Sequence, residues 1–184
     1  MDRIILVLLS ETDPRLLEVL KPGLEKIFNR TVEIQSRIRS LDSAYDSRRG
    51  QYSSPRMLSW LRRIKKSPGD KVLGIANVDL YSPGYEFVYG EAEMSSGTAT
   101  LSIYRLRSRK RNSNFDPAVF AERALREGIH ELAHLFYVGH CQRPKCVMRL
   151  CTCLEEVDRA GNQFCPGCQR ELEAALTPSH ATIV

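Results

Sequence analysis

From Arg3 to Leu9 the chain reads Arg-Ile-Ile-Leu-Val-Leu-Leu. A short run that is apolar at consecutive positions predicts a buried strand. Asp13-Pro14 then supplies a helix start, with Leu16, Leu20, Leu24 and Ile27 following at helical spacing. Pro22-Gly23 interrupts that spacing, so the helix is expected to kink or end there. Residues 31–38 alternate as a strand does, and residues 41–53 are polar and predict a loop. Ser54-Pro55 opens a second helix with Met57, Leu58, Leu61 and Ile64 on one face. Ser67-Pro68-Gly69-Asp70 is a turn cluster.

Residues 72–80 predict a central strand, and residues 85–92 and 98–106 two more, with turns at Ser82-Pro83-Gly84 and Ser95-Ser96-Gly97. Asp116-Pro117 starts a third helix that runs through Phe120, Ala124, Leu125 and Ile129 into a histidine motif. Two short helices are expected near residues 154–159 and 170–176. Strands and helices mix over residues 1–140, which gives an α/β fold of the α+β type. Residues 141–184 form a separate, cysteine-bearing C-terminal module.

A chain of 184 residues fits one domain with a small appendage and can bury a real core. No apolar run approaches the roughly 20 residues that cross a bilayer. The apolar start at Met1–Leu9 is short and leads into Glu11 and Asp13 without a cleavage site. A cytoplasmic setting without a membrane partner is therefore expected. The net charge of +5 comes largely from two basic runs, Arg62–Lys66 and Arg105–Arg111. No aromatic residue interleaves with them, as a stacking surface for single strands requires. Solvated surface is the expectation, and no nucleic-acid partner.

All six cysteines lie between 141 and 168, and three of the four histidines between 130 and 140. A disulfide framework spreads its cysteines across a fold; this clustering points to metal. The histidine segment reads His130-Glu131-Leu132-Ala133-His134-Leu135-Phe136-Tyr137-Val138-Gly139-His140. On a helix, His130 and His134 share a face and can reach one ion, while Glu131 can reach a metal-bound water without ligating. A catalytic zinc takes three protein ligands and keeps one position open. His140 supplies the third if the chain turns back, and Gly139 is the residue expected to permit that reversal. A zinc held there lowers the pKa of its water to about 7; Glu131 then serves as catalytic base and passes the proton to the leaving amine.

His-Glu-x-x-His followed by a third histidine six positions on resembles the metzincin metallopeptidases. Within that clan the chain is most similar to the archaemetzincin family, on His140-Cys141, Cys146-Val147-Met148 and Cys165-Pro166-Gly167-Cys168. The resemblance covers residues 130–168 tightly. It implies a zinc-dependent metallopeptidase acting on peptide or protein substrates. The fold it implies is a twisted mixed β-sheet with an active-site helix, the substrate lying along an edge strand expected at residues 85–92. It implies two zinc ions per chain, a catalytic one on His130, His134 and His140 and a structural one on Cys141, Cys146, Cys165 and Cys168. Met148 stands where the clan has its methionine turn.

One departure stands out: metzincins usually carry glycine three residues after the second histidine, and this chain has Tyr137. Either the helix ends later, near Val138-Gly139, or Tyr137 adopts a backbone conformation unusual for a tyrosine. Its side chain is expected to pack, with a role as transition-state donor as the alternative. Cys151 and Cys153 are surplus to the set that the resemblance implies and read as small, partly buried apolar residues, with a Cys-x-Cys pair that replaces one of the other two pairs as the alternative. His180 reads as surface. The competing reading for the whole chain is a regulatory or protein-binding module with a zinc-finger tail. Glu131 argues against it, because a binding protein has no use for that base.

Overall fold

The structure, a computed structural model, describes residues 2–37, 40–107 and 115–177. In chain order the strands are β1 (Ile4–Leu8), β2 (Val32–Ser36), β3 (Tyr45–Asp46), β4 (Gln51–Ser53), β5 (Lys71–Ala76), β6 (Leu80–Tyr81), β7 (Gly90–Glu93) and β8 (Thr98–Ser102). The helices are α1 (Pro14–Phe28), α2 (Ser54–Leu61), α3 (Pro117–Leu135), α4 (Leu154–Arg159) and α5 (Pro166–Leu176).

All five residues of β1 are buried, because the strand carries apolar side chains on both faces. Ile4, Leu6 and Leu8 pack with Leu20 and Leu24 of α1 and with Ile129 and Leu132 of α3. Ile5 and Val7 point the other way, into Met57, Leu58 and Leu61 of α2. β1 lies parallel between β2 and β5, β8 extends the parallel set, and β7 closes one edge antiparallel. The order is β2-β1-β5-β8-β7, a mixed sheet with helices on both faces; β3, β4 and β6 form a second, small sheet.

Several boundaries differ from the sequence reading, each for a local reason. α1 runs unbroken through Pro22. The proline is exposed, and the lost helical bond is outweighed by the buried face of Leu16, Leu20, Leu24 and Phe28. Gly23 does not end the helix; a Cβ there would sit 2.7 Å from Leu125, so glycine lets α1 approach α3. The stretch 72–80 divides into β5 and β6, since the Asn77 amide donates to Ser10 Oγ at 2.7 Å and leaves the sheet. Residues 98–106 are strand only to Ser102, and Arg105–Arg107 form a single 3₁₀ turn. In the stretch 85–92 only the end is strand. Arg49 and Gln51 claim the carbonyls of Tyr85 and Glu86 and hold that backbone out of the sheet. The edge strand is thus β7, one residue longer at its C-terminal end and five shorter at its N-terminal end than expected. Residues 41–53 are not all loop, because they contain β3 and β4. α5 starts at Pro166, ahead of the expected 170, with the proline in its first turn.

The cysteine-bearing segment packs on the same apolar cluster as the sheet: Cys146, Val147, Met148, Val157, Cys168 and Leu172 all belong to it. A fork of Arg123 onto Asp158, at 2.6 and 2.9 Å, ties α3 to α4.

α3 is capped by Asp116, whose carboxylate accepts from the amides of Ala118 and Val119. Its far end decides where the third histidine goes. The Val138 amide donates to Ala133 O at 3.1 Å and the Tyr137 amide to His134 O at 2.9 Å. These are the two bonds of a Schellman reversal, and Val138 is fully buried behind it. The left-handed residue is Tyr137, at φ 64°, and Gly139 is not among the positive-φ residues. The reversal therefore falls at Tyr137, the second of the two alternatives, and Gly139 plays no left-handed part. Nor does the Tyr137 side chain pack, since it is 70% exposed.

A tyrosine in this region costs about 1–2 kcal/mol relative to glycine, which has no Cβ to clash. Tyr137→Gly is expected to raise the free energy of unfolding by about 1 kcal/mol, since glycine's greater unfolded entropy takes back part of the gain. Urea denaturation at unchanged m-value measures it; a fall in the midpoint contradicts the strain assigned to this residue.

Candidate metal centres

α3 places His130 and His134 one turn apart with their ring planes at 87°. Each ring is fixed by a backbone carbonyl. His130 Nδ1 meets Val147 O at 2.9 Å, and His134 Nδ1 meets Val138 O at 2.8 Å. A carbonyl only accepts, so each Nδ1 carries the proton and each Nε2 presents a lone pair. The two Nε2 atoms lie 3.1 Å apart. Two bare lone pairs at that distance repel, whereas a tetrahedral zinc about 2.0–2.1 Å from each fits between them.

The Tyr137 reversal brings His140 back to the same place, its ring 4.7 Å from that of His134 and 5.3 Å from that of His130. Ligand atoms of the three histidines all lie within 4.8 Å of one another. Burial pushes the pKa of His130 down to about 3, with help from the neighbouring His134. Burial also lowers His134, as does the charge of His140, and burial lowers His140 itself. All three rings are therefore favoured as neutral imidazoles, the form that ligates.

Glu131 is buried. Burial first, then the nearby Glu127 and Glu91 carboxylates, push its pKa well above the usual carboxylate range. Its side chain lies against the backbone of Gly90 on β7. A Cβ on Gly90 would come within 2.5 Å of Glu131 Cγ and 2.6 Å of Oε1. Only a residue without a side chain lets the edge strand and this carboxylate approach so closely. Glu127, one turn earlier, is buried and ion-paired with Arg126.

Residues 146–149 form a turn whose polar backbone is accounted for almost atom by atom. The Arg149 amide donates to Cys146 O at 3.0 Å, and the Val147 amide to Gln163 O at 2.9 Å. Met148 O accepts from the Cys141 amide at 2.8 Å, and the Met148 side chain is fully buried in the core. Arg126 reaches this turn from α3, its Nη2 lying 2.8 Å from Arg149 O, 3.3 Å from Val147 O and 3.1 Å from Cys151 Sγ.

Cys141, Cys146, Cys165 and Cys168 bring four sulfurs within 4.8 Å of one another. Cys141 and Cys165 are 3.8 Å apart and Cys165 and Cys168 3.6 Å, spacings that four thiolates about 2.3 Å from one zinc would produce. The backbone amide of Cys168 brings the Cys165 thiol down to about 6, while burial pushes Cys146 and Cys168 up. The Cys165 thiol is thus the one of the group most favoured as thiolate. Cys151 and Cys153 fall outside this group. Cys151 is partly buried, and burial raises its thiol to about 11.

Sequence reading missed Gly90, Arg126 and the two ring-orienting carbonyls. A glycine within a strand-like stretch signals close backbone approach and could have marked Gly90. Nothing in spacing marks Arg126, and carbonyls carry no sequence signal. His180 lies outside the described residues.

The model of Peptidase family M54 matches residues 20–174. The chain is 39% identical to an archaemetzincin of Pyrococcus horikoshii over 138 residues, 74% of this chain and 73% of the relative. It is 33% identical to that of Pyrococcus furiosus over 181 residues, 95% of this chain and 94% of the relative. The crystal structure of the archaemetzincin from Methanopyrus kandleri superposes with a TM-score of 0.82 at 32% identity, covering 95% of both chains. A zinc-dependent peptidase from Methanocorpusculum labreanum gives 0.81 at 28% identity, covering 92% of this chain and 99% of that one.

Proposed function

Since the chain belongs to Peptidase family M54, the archaemetzincins, and is thereby a zinc metallopeptidase, we propose that His130, His134 and His140 hold its catalytic zinc and Glu131 is its general base. The observation that carries this reading is the convergence of three imidazoles with ligand atoms within 4.8 Å, two of them with Nδ1 committed to carbonyls. Three donors leave a fourth position for solvent or substrate.

Zinc bound there supplies a Lewis acid that brings water down to a pKa of about 7 and draws charge from a carbonyl oxygen. The chain's own residues do the rest. Glu131 accepts the proton of the attacking water on a carboxylate oxygen and delivers it to the amine nitrogen that leaves. Burial, which raises its proton affinity, suits it to hold that proton between the two transfers. β7, at the sheet edge, offers unpaired backbone groups along which an extended peptide lies. Tyr137, exposed just past the helix end, is free to contact that peptide. Peptide or protein is the substrate class that the family implies.

A second zinc sits on Cys141, Cys146, Cys165 and Cys168. Four thiolates close its shell, so its role is structural. On this reading residues 141–184 are a zinc-stapled module that carries the Met148 turn, and residues 1–140 the catalytic domain. A cytoplasmic setting keeps such thiols reduced. Among the described residues no helix is long and apolar enough to cross a membrane.

Glu131→Gln is expected to keep both zinc ions and lose at least a hundredfold in cleavage of a mixed peptide library, since a proton-transferring side chain contributes roughly 10²–10⁴-fold. Equal cleavage by variant and parent overturns the assignment of the base. Gly90→Val is expected to displace the Glu131 carboxylate while leaving zinc content unchanged, with kcat down at least tenfold. Unaltered kcat in a folded Gly90→Val protein contradicts the proposed closeness of edge strand and base.

A further inference from the structure

Arg126 is a buried cation in the middle of α3, at 3% side-chain exposure. Burying a guanidinium is costly and is offset by charge pairing and hydrogen bonds. Here Nη1 pairs with Glu127 and Nη2 meets two carbonyls and a sulfur of the 146–151 segment, while the buried Nε has no partner among the described residues. The carbonyls, Val147 O and Arg149 O, lie on either side of the Met148 turn. Val147 O is also the acceptor that fixes the His130 ring. One oxygen thus receives both a guanidinium and an imidazole N–H from the same helix, donated from residues 126 and 130.

We propose that Arg126 is a positioning residue for the histidine site: it clamps the turn at Val147 and Arg149 so that the Val147 carbonyl stays on His130 Nδ1, leaving Nε2 unprotonated and aimed at the metal. The shorter bond, to Arg149 O at 2.8 Å, anchors the turn; the longer one, to Val147 O at 3.3 Å, sets the direction of the shared carbonyl. Without the clamp, the turn loses its tie to α3 at residue 126 and is held from the other side, by the Cys141 amide on Met148 O, the Val147 amide on Gln163 O and Arg149 Nη1 on Gln142 O. The His130 carbonyl partner then shifts, and the ring samples the tautomer whose Nε2 carries the proton and cannot ligate. Groups that orient metal-binding histidines in this way typically govern affinity by 10–100-fold. Glu127 keeps the guanidinium neutralised, and Cys151 lies against its outer nitrogen, a place for a thiol outside the four-cysteine group.

This inference rests on the proposed histidine metal site, and the test separates the two. Arg126→Lys keeps a cation beside Glu127 but lacks the fork that reaches both carbonyls. Arg126→Met with Glu127→Gln removes the pair together, so no uncompensated charge remains buried. In metal-free protein, imidazole ¹⁵N spectra report the tautomer of each ring. In both variants His130 is expected to change from a single Nδ1-protonated form to a mixture, while His134, held by Val138 O, keeps its parent pattern. Zinc titration against a competing chelator is expected to show the histidine site weakened 10–100-fold and the cysteine site unchanged. Parent-like His130 spectra and affinity in both variants overturn the proposal. So does full rescue by lysine alone, which assigns the effect to charge rather than to the clamp. If the parent itself takes no zinc at the histidines, the metal-site reading fails, whatever the spectra show.

Discussion

A single helix can bring only two imidazoles to one point, and the rest of this site exists to return the chain so that a third can join them. His130 and His134 come free with the pitch of α3. His140 does not: the helix must stop within three residues of His134 and reverse. The reversal is made by two amide bonds and by the burial of Val138, and it places a tyrosine where glycine is the easy choice. The same two turns of chain supply the carbonyls that orient the rings, Val138 O for His134 and Val147 O for His130. Backbone geometry thus does two jobs, delivering the third donor and choosing the tautomer of the first two.

The site is electrostatically expensive. Beneath and beside the imidazoles α3 buries Arg126, Glu127 and Glu131, with Glu91 close enough to raise the proton affinity of Glu131. Burial holds the histidines neutral, the state suited to holding a cation, and raises the proton affinity of Glu131, which suits it to keep the proton it takes from water until it is delivered. A core of leucine on the same helix would be more stable and inert. The stability needed to tolerate these groups comes from elsewhere: the sheet buried on both faces, the α1–α3 packing through Gly23, and the Arg123–Asp158 fork that draws the C-terminal segment onto the helix.

Local signals made much of this readable in the sequence. β1 announces itself as an unbroken apolar run, α1 and α3 through Asp-Pro starts and helical spacing, the converging histidines through residue type and interval, and the converging cysteines through the family resemblance. What was not readable is where tertiary contacts outvote local ones. Pro22 reads as a break, yet α1 continues because its buried face holds it. Residues 85–89 have strand-like composition, yet Arg49 and Gln51 take the carbonyls of Tyr85 and Glu86 away from the sheet. Gly139 reads as the natural pivot, yet the turn forms two residues earlier because Val138 has a pocket to fill. Arg126 looks like any helix-surface charge in sequence and is instead one of the most buried side chains beside the site.

The most direct measurement is an anomalous diffraction map at the zinc edge from crystals of the protein as purified. We expect two peaks: one about 2.1 Å from Nε2 of His130 and His134 and from a ring nitrogen of His140, the other about 2.3 Å from the sulfurs of Cys141, Cys146, Cys165 and Cys168. A histidine trio without a peak in zinc-replete crystals, or with His140 turned away from it, would contradict the site as we have built it.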